Sequence, residues 1–176
     1  MLILGIESSA DESGVSIIEA SGDFGDGFSF AVRGNAVASQ IALHTQYGGI
    51  FPSMAVREHQ KNFVPLLETV LTEAHMANDG SASIDGIDEI LNRETELRAQ
   101  LIPFLQTHAK PNIDVIAVTY GPGLEPTLWV GINFAKALAH AWNIPLVAIN
   151  HMEGHLILSA IAGRDEKYQV SSIKYQ

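Results

Sequence analysis

Two histidines, His151 and His155, stand four residues apart in the segment HMEGH. On a helix, residues i and i+4 share one face, so both imidazoles can reach one metal ion. Glu153 lies two residues after His151, so the segment lacks the HExxH spacing that gives a metalloprotease its general base. A pair supplies only two ligands. On spacing alone, metal binding and a surface or helix-capping role stay equally open.

A polar loop, ESSADESG at residues 7–14, follows the first apolar run of the chain. Serine hydroxyls and backbone N–H groups at the end of a buried strand can donate hydrogen bonds to phosphate oxygens. Carboxylates such as those of Asp11 and Glu12 can hold a divalent cation or orient a water molecule. The same residue types also dominate ordinary hairpin turns, and spacing alone favours that interpretation.

A second loop carries Gly121-Pro122-Gly123 shortly after an apolar run that ends at Thr119. In α/β folds, ligands bind beyond the carboxyl ends of strands, so these glycines can bring backbone close to a ligand. A purely structural strand-to-helix turn explains the pattern equally well. The remaining histidines have no partner at metal spacing and are predicted to have ordinary structural roles: His44, His59, His75, His108 and His140.

Hydrophobic patterning indicates how these segments are positioned. Three apolar runs separated by turn residues predict an antiparallel meander, and the alternation that follows predicts an α/β fold with a mixed sheet. The predicted order is strands at 1–7, 14–19 and 28–39, helices at 52–71 and 87–105, a strand at 113–119, a helix at 128–142, a strand at 145–149, a helix from 151, and a possible strand in the tail.

The two predicted middle helices carry specific expectations. Pro65 predicts a kink or a break in the first of them. The second is expected to be one amphipathic helix with exposed i,i+4 ion pairs, Glu89–Arg93 and Glu94–Arg98.

Composition narrows the classes of function. The chain has 176 residues, with 10 Lys and Arg, 20 Asp and Glu, and no Cys. It therefore forms no disulfide, thiolate metal site or cysteine nucleophile. A net charge of −10 makes it a poor nucleic-acid binder by itself, because phosphate contacts need Lys and Arg. No apolar run approaches the roughly 18 residues of a membrane span, and no basic n-region of a signal peptide is present, so a cytoplasmic location is expected.

Four stretches of the chain resemble, in order, the universal tRNA threonylcarbamoyladenosine synthase family (TsaD in bacteria), once called O-sialoglycoprotein endopeptidases. HMEGH and the YGG–P–A–RxH pattern of residues 47–59 are the most specific parts, and the latter resembles the bacterial or organellar branch, so an organellar location stays possible. The stretches are LGIESSADESGVSI at 4–17, HTQYGGIFPSMAVREHQKNFVPLL at 44–67, VIAVTYGPGLEPTLWVG at 115–131 and AKALAHAWNIPLVAINHMEGHL at 135–156.

The resemblance implies an actin-like, ribonuclease H-like lobe, with a mixed β-sheet flanked by helices, facing a second lobe across an active-site cleft. It implies transfer of a threonylcarbamoyl group from threonylcarbamoyl-adenylate to N6 of adenosine 37 in ANN-decoding tRNAs. His151 and His155 match the family's metal-binding histidines, on iron or zinc. Asp11 and Glu12 match acidic residues tied to activity.

Ser9 of the first loop and Gly121 and Gly123 of the second are the candidate substrate-binding residues. Three departures from the family pattern are visible. Ala10 stands where members usually carry Cys, and residues 79–112 contain a helical insertion of roughly 30 residues in place of a short connection. The family's Ser-Gly-Gly-His-Thr loop and a later Asp metal ligand are absent. Residues 1–176 are therefore expected to form the N-terminal lobe only, to bind metal weakly and to be inactive alone.

Partners follow from the same resemblance. The expected ones are a TsaB-like paralogue that pairs through N-terminal lobes, a TsaE-like ATPase, and tRNA bound by the complete complex. A homodimer or heterodimer is expected, with the apolar face of the first long helix as a candidate surface unless that face is core. A non-catalytic TsaB-like module is the main alternative, although that paralogue lacks the two histidines. A zinc peptidase or a sugar kinase fits the motifs less well.

Overall fold

A five-stranded sheet forms the centre of the computed structural model, which describes residues 1–23 and 27–162, with only the backbone for 158–162. The sheet has the order β3-β2-β1-β4-β5. The pairs β1–β2 and β2–β3 are antiparallel, whereas β1–β4 and β4–β5 are parallel. The strands are β1 (Leu2–Glu7), β2 (Glu12–Ser21), β3 (Ser29–Ser39), β4 (Val115–Gly121) and β5 (Leu146–Asn150).

The direction of each strand identifies the fold. Only β2 runs opposite to the other four strands, since β3 reverses again and both crossovers leave β4 and β5 parallel to β1. This order with one reversed strand is the ribonuclease H-like sheet of actin-like lobes. The predicted meander, mixed sheet and fold class are therefore confirmed. The predicted tail strand lies outside the described residues.

Two long helices build the core against the sheet. Phe63 of α2 stacks on Phe134 of α5, with ring centroids 4.8 Å apart. Leu4, Ile17 and Ile116 supply fully buried side chains from three strands. The helices are α1 (Ile41–Thr45), α2 (Pro52–Glu73), α3 (Ile87–Ile90), α4 (Thr95–Thr107), α5 (Glu125–Trp142) and α6 (His151–Ala162).

The structure of α2 bears on two predictions, the break at Pro65 and the docking role of its apolar face. The helix continues through Pro65, so the predicted break is wrong. Its apolar face packs inward, with Phe63, Leu67 and Val70 completely buried. That face is therefore core and does not offer a docking surface.

The predicted helix over 87–105 is two helices, α3 and α4, which separate at residues 91–94. The reason is tertiary: α3 packs against α5 whereas α4 packs against α2, and one continuous helix cannot do both. The predicted exposed pairs are wrong as well. Glu94 turns inward and is 5% exposed, its Oε1 accepting a hydrogen bond from Asn133 (3.0 Å). Arg98 lies near Asp88 instead (3.5 Å).

The region 79–112 adds a layer on the outer side of α2 and α5. Leu91, Leu97, Leu101 and Leu105 are fully buried there, so the layer belongs to the same hydrophobic core. A single β-bridge between Asp79 and His108 closes the base of the region. Among the helices of residues 1–23 and 27–162, none has both the length and the apolarity that a membrane crossing requires.

Candidate functional site

Three chain segments meet where the parallel strands β1, β4 and β5 end. They are the loop after β1, the end of β4 and the first turn of α6, and parallel strands bring such ends to one edge of the sheet. Asn150 fixes where α6 begins, because its Oδ1 accepts hydrogen bonds from the N–H groups of Met152 (2.9 Å) and Glu153 (3.3 Å). His151 is therefore the first residue of the helix and faces this edge.

Glu7, the last residue of β1, connects all three segments. Its Oε1 accepts a hydrogen bond from the backbone N–H of Ser9 (2.5 Å), and its Oε2 accepts one from Thr119 Oγ1 (2.5 Å). The same Oε2 lies 3.2 Å from His151 Nδ1. Burial by itself raises the pKa of Glu7, but the hydrogen bonds from Ser9, Thr119 and His151 outweigh it and leave the pKa below its usual range. Glu7 is therefore ionised at neutral pH.

The two motif histidines face each other. His151 Nε2 and His155 Nε2 are 3.0 Å apart, and the rings are nearly perpendicular, at 89°. Imidazole nitrogens suit iron and zinc, so this donor pair fits the implied metal. Within the described part of the chain, no group of three or more His, Cys, Asp or Glu side chains could hold a metal ion. The described residues thus offer two imidazoles at this point, fewer than a stable metal site uses, and metal binding stays a prediction.

Asp11 lies in the loop between β1 and β2, and Glu12 is the first residue of β2. His59 of α2 bonds to the residues on both sides of this pair. His59 is completely buried. Its Nε2 donates to the Ala10 carbonyl (3.0 Å), so its Nδ1 accepts from Ser13 Oγ (2.7 Å). Burial lowers the pKa of His59, because imidazolium would lose its hydration, and the bond to Ala10 offsets this only in part. His59 is therefore neutral, and it links the residues on either side of Asp11 and Glu12.

The two acidic residues do not share the same surroundings. Glu12 lines a cavity of about 290 Å³ together with Glu7 and Thr119, whereas Asp11 does not line it. The Asp11 backbone carbonyl accepts a hydrogen bond from the Gln40 N–H (2.8 Å), which ties the loop to the end of β3. The structure therefore brings Glu12 close to the Glu7 cluster and places Asp11 on the neighbouring turn.

The glycine loop packs directly on the loop after β1. A Cβ at Gly123 would lie 2.5 Å from the Ser9 carbonyl oxygen, so only glycine allows this approach. The same oxygen accepts a hydrogen bond from the Leu124 N–H (2.7 Å). Gly121 has φ +147°, a conformation that other residues rarely adopt. Gly123 thus packs on Ser9, with Gly121 in the same glycine loop, and the substrate contacts of these three residues stay a prediction.

Sequence reasoning did not single out three residues that organise this edge: Glu7, Thr119 and Asn150. Two of them carry a signal in the sequence, since Glu7 and Thr119 are polar residues near the ends of apolar strand runs. Parallel pairing of those two strands would have placed the side chains together. The sequence predicts a structural role for His59 but not its partners, which are a carbonyl and a hydroxyl distant in sequence.

Comparison with known proteins points to one family. The family model described as TsaD, tRNA N6-adenosine threonylcarbamoyltransferase, matches residues 31–87 and 99–169. Proteins of that name are similar in Salinibacter ruber (38% identity, 89% of this chain and 34% of that protein), Dehalococcoides mccartyi (37%, 93% and 38%) and Ralstonia pickettii (39%, 89% and 34%). The chain therefore spans about a third of the length of these curated relatives.

Solved structures show weaker likeness. YeaZ from Pseudomonas aeruginosa aligns with 85% of this chain and 45% of its own, at 15% identity and a TM-score of 0.45. RuvC from Thermus thermophilus aligns with 95% of this chain and 74% of its own, at 11% identity and a TM-score of 0.42. Both scores lie below 0.5, and the fold assignment rests on the strand order and directions.

Proposed function

The chain belongs to the tRNA N6-adenosine threonylcarbamoyltransferase family, and we propose that it contributes one lobe to an enzyme with that activity. The enzyme would transfer a threonylcarbamoyl group from threonylcarbamoyl-adenylate to N6 of adenosine 37 in ANN-decoding tRNAs. The observation that supports this proposal best is the facing pair His151 and His155, with Nε2 atoms 3.0 Å apart, backed by Glu7. The pair lies inside a segment that the family model matches.

The histidines would hold one divalent ion, iron or zinc, through their Nε2 atoms. When bound, such an ion supplies Lewis-acid polarisation of the mixed anhydride and neutralises phosphate charge. The glycine loop of Gly121 and Gly123, packed beside Ser9, would bring backbone close to the adenylate, whereas the Ser9 N–H is already donated to Glu7. The carboxylate of Asp11 would position the attacking N6 amine or accept its proton, and Glu12 would supply a second carboxylate from the neighbouring cavity.

The described residues supply two metal ligands, whereas stable zinc sites use at least three protein ligands. We therefore expect the 176 residues alone to bind metal weakly and to be inactive, with the third ligand supplied by a C-terminal lobe. An acidic chain with net charge −10 would leave tRNA binding to the complete complex. A cytoplasmic location fits this role.

Pairing with a TsaB-like paralogue, or with a second copy, needs an exposed apolar surface. The start of α1 and the loop between α1 and α2 offer one, since the apolar side chains there are each between 41% and 55% exposed: Ile41, Tyr47, Ile50 and Phe51. Tyr47 and Phe51 pack together, with ring centroids 5.7 Å apart. This loop, rather than the buried face of α2, is our candidate for lobe pairing. A TsaE-like ATPase would join the assembled complex.

Activity decides between this function and a non-catalytic interaction module. The test joins this chain to the C-terminal lobe of a relative, adds the TsaB-like and TsaE-like partners, and measures modified adenosine in tRNA. We expect modification with the joined protein, and loss of it in His151→Ala and His155→Ala. Modification that survives both substitutions would refute the assignment. Modification by the isolated chain would refute its expected inactivity.

A further inference from the structure

We propose that Glu7 is a positioning residue that holds His151 in the tautomer with the proton on Nδ1 and the lone pair on Nε2. The inference rests on the proposed function in one respect, since His151 Nε2 is the atom proposed to bind metal. It adds a residue that lies outside the histidine motif, 144 positions away along the chain.

Two protein groups other than His151 fix the orientation of the Glu7 carboxylate. The Ser9 N–H can only donate, so it takes Oε1 (2.5 Å), and Thr119 Oγ1 bonds to Oε2 (2.5 Å). The first donor lies in the loop after β1, and the second lies in β4, an interior strand of the sheet. Oε2 is thereby aimed at His151 Nδ1, 3.2 Å away.

Both oxygens of Glu7 act as acceptors, from Ser9 and from Thr119, so His151 Nδ1 must carry a proton to bond with Oε2. In a neutral imidazole this leaves the lone pair on Nε2, which accepts the 3.0 Å hydrogen bond from His155 Nε2 in the absence of metal. A carboxylate behind a metal-ligating histidine fixes its ring and raises its basicity, and losing such a partner typically costs about 10- to 100-fold in metal affinity.

The geometry argues against Glu7 as a metal ligand itself. Its contact is with Nδ1, the nitrogen on the other side of the imidazole from the point that the two Nε2 atoms share. Both of its oxygens already accept hydrogen bonds from protein groups. Glu7 therefore acts through His151.

The decisive variant is Glu7→Gln, which keeps the shape and replaces one oxygen with an NH₂ donor. The carboxamide oxygen can still accept from Ser9, so the NH₂ group points at His151 Nδ1 and favours the opposite tautomer, with the proton on Nε2. Glu153→Gln is the matched control, because it removes a nearby exposed carboxylate on α6 without touching this contact.

Long-range ¹H–¹⁵N NMR of the metal-free chain at neutral pH reports the tautomer directly. We expect the Nδ1–H form of His151 in the wild type and in Glu153→Gln, and the Nε2–H form in Glu7→Gln. An Nε2–H form in the wild type would overturn the inference without any variant. An unchanged tautomer in a folded Glu7→Gln protein would do the same.

Zinc titration followed by NMR separates this inference from the proposed function. Affinity should fall about 10- to 100-fold in Glu7→Gln and change less than twofold in Glu153→Gln. Equal losses in both variants would overturn the positioning role. If zinc fails to perturb His151 and His155 even in the wild type, the proposed metal site fails, and the tautomer result still decides the role of Glu7.

Discussion

His59 and His151 both bond to residues at the end of β1 or shortly after it, but their surroundings differ. His59 is completely buried, and its two ring nitrogens bond to Ala10 and Ser13, on either side of Asp11 and Glu12. His151 has a quarter of its side chain exposed, and Glu7 takes only Nδ1. Both nitrogens of His59 are bonded to surrounding structure, whereas the Nε2 of His151 contacts only the other motif histidine, His155 (3.0 Å), and these two Nε2 atoms are the ones proposed for chemistry.

The largest effect that tests this contrast is on stability. His59→Ala should lower the free energy of unfolding by about 3 kcal/mol, because it opens a cavity and leaves the Ala10 carbonyl and Ser13 hydroxyl unpaired. His155→Ala, at a partly open site, should change it by less than about 0.5 kcal/mol. Urea denaturation followed by circular dichroism measures both. Equal losses of unfolding free energy in the two variants would contradict the different roles assigned to His59 and the motif histidines.

The backbone offers the same contrast at two glycines. Gly123→Ala should cost about 1–3 kcal/mol, since the new Cβ would lie 2.5 Å from the Ser9 carbonyl oxygen. Gly154→Ala is the matched control on α6, where a Cβ meets nothing within 4 Å. That substitution should stabilise the helix by up to about 1 kcal/mol. Thermal unfolding of both variants gives the comparison, and a neutral Gly123→Ala would show that the two loops are not packed as described.

Zinc affinity tests the role proposed for the motif pair, His151 and His155. His155→Ala should weaken zinc binding at least about tenfold, because it removes one of two ligands. His59→Gln should leave the affinity within twofold, provided that the variant is folded. Isothermal titration under matched buffer measures both. A larger loss from His59→Gln than from His155→Ala would mean that the two histidines have been assigned to the wrong roles.

The smallest effect is on the pH dependence of stability. The pKa of His59 is lowered in the folded protein, so the unfolded chain takes up a proton first as the pH falls, and stability should drop below about pH 6.5. The pKa of Glu7 is also lowered, so its contribution is present above about pH 4.3 and is lost below it. His59→Gln should reduce the loss of stability below about pH 6.5, which is due to His59, and should not change the loss below about pH 4.3, which is due to Glu7. A decline near pH 6 that His59→Gln does not change would contradict the buried neutral imidazole.

Much of the fold could be predicted, because its signals are local. Apolar runs bounded by turn residues gave the three-strand meander, and the HMEGH spacing placed both histidines on one face of a helix. The division of residues 87–105 into α3 and α4 could not be predicted, since it depends on the two short helices packing against different partners. The roles of Glu7 and Thr119 depend on the parallel pairing of β1 and β4, which hydrophobic patterning does not reveal.

The most direct test of the account is a Co²⁺ titration of the chain by NMR, because paramagnetic shifts detect even weak binding and locate it. The account predicts saturable shifts centred on the rings of His151 and His155, with none centred on His59, and loss of the shifts in His155→Ala. Shifts centred elsewhere, or shifts that persist in His155→Ala, would contradict the claim that this histidine pair is the metal-binding part of the lobe.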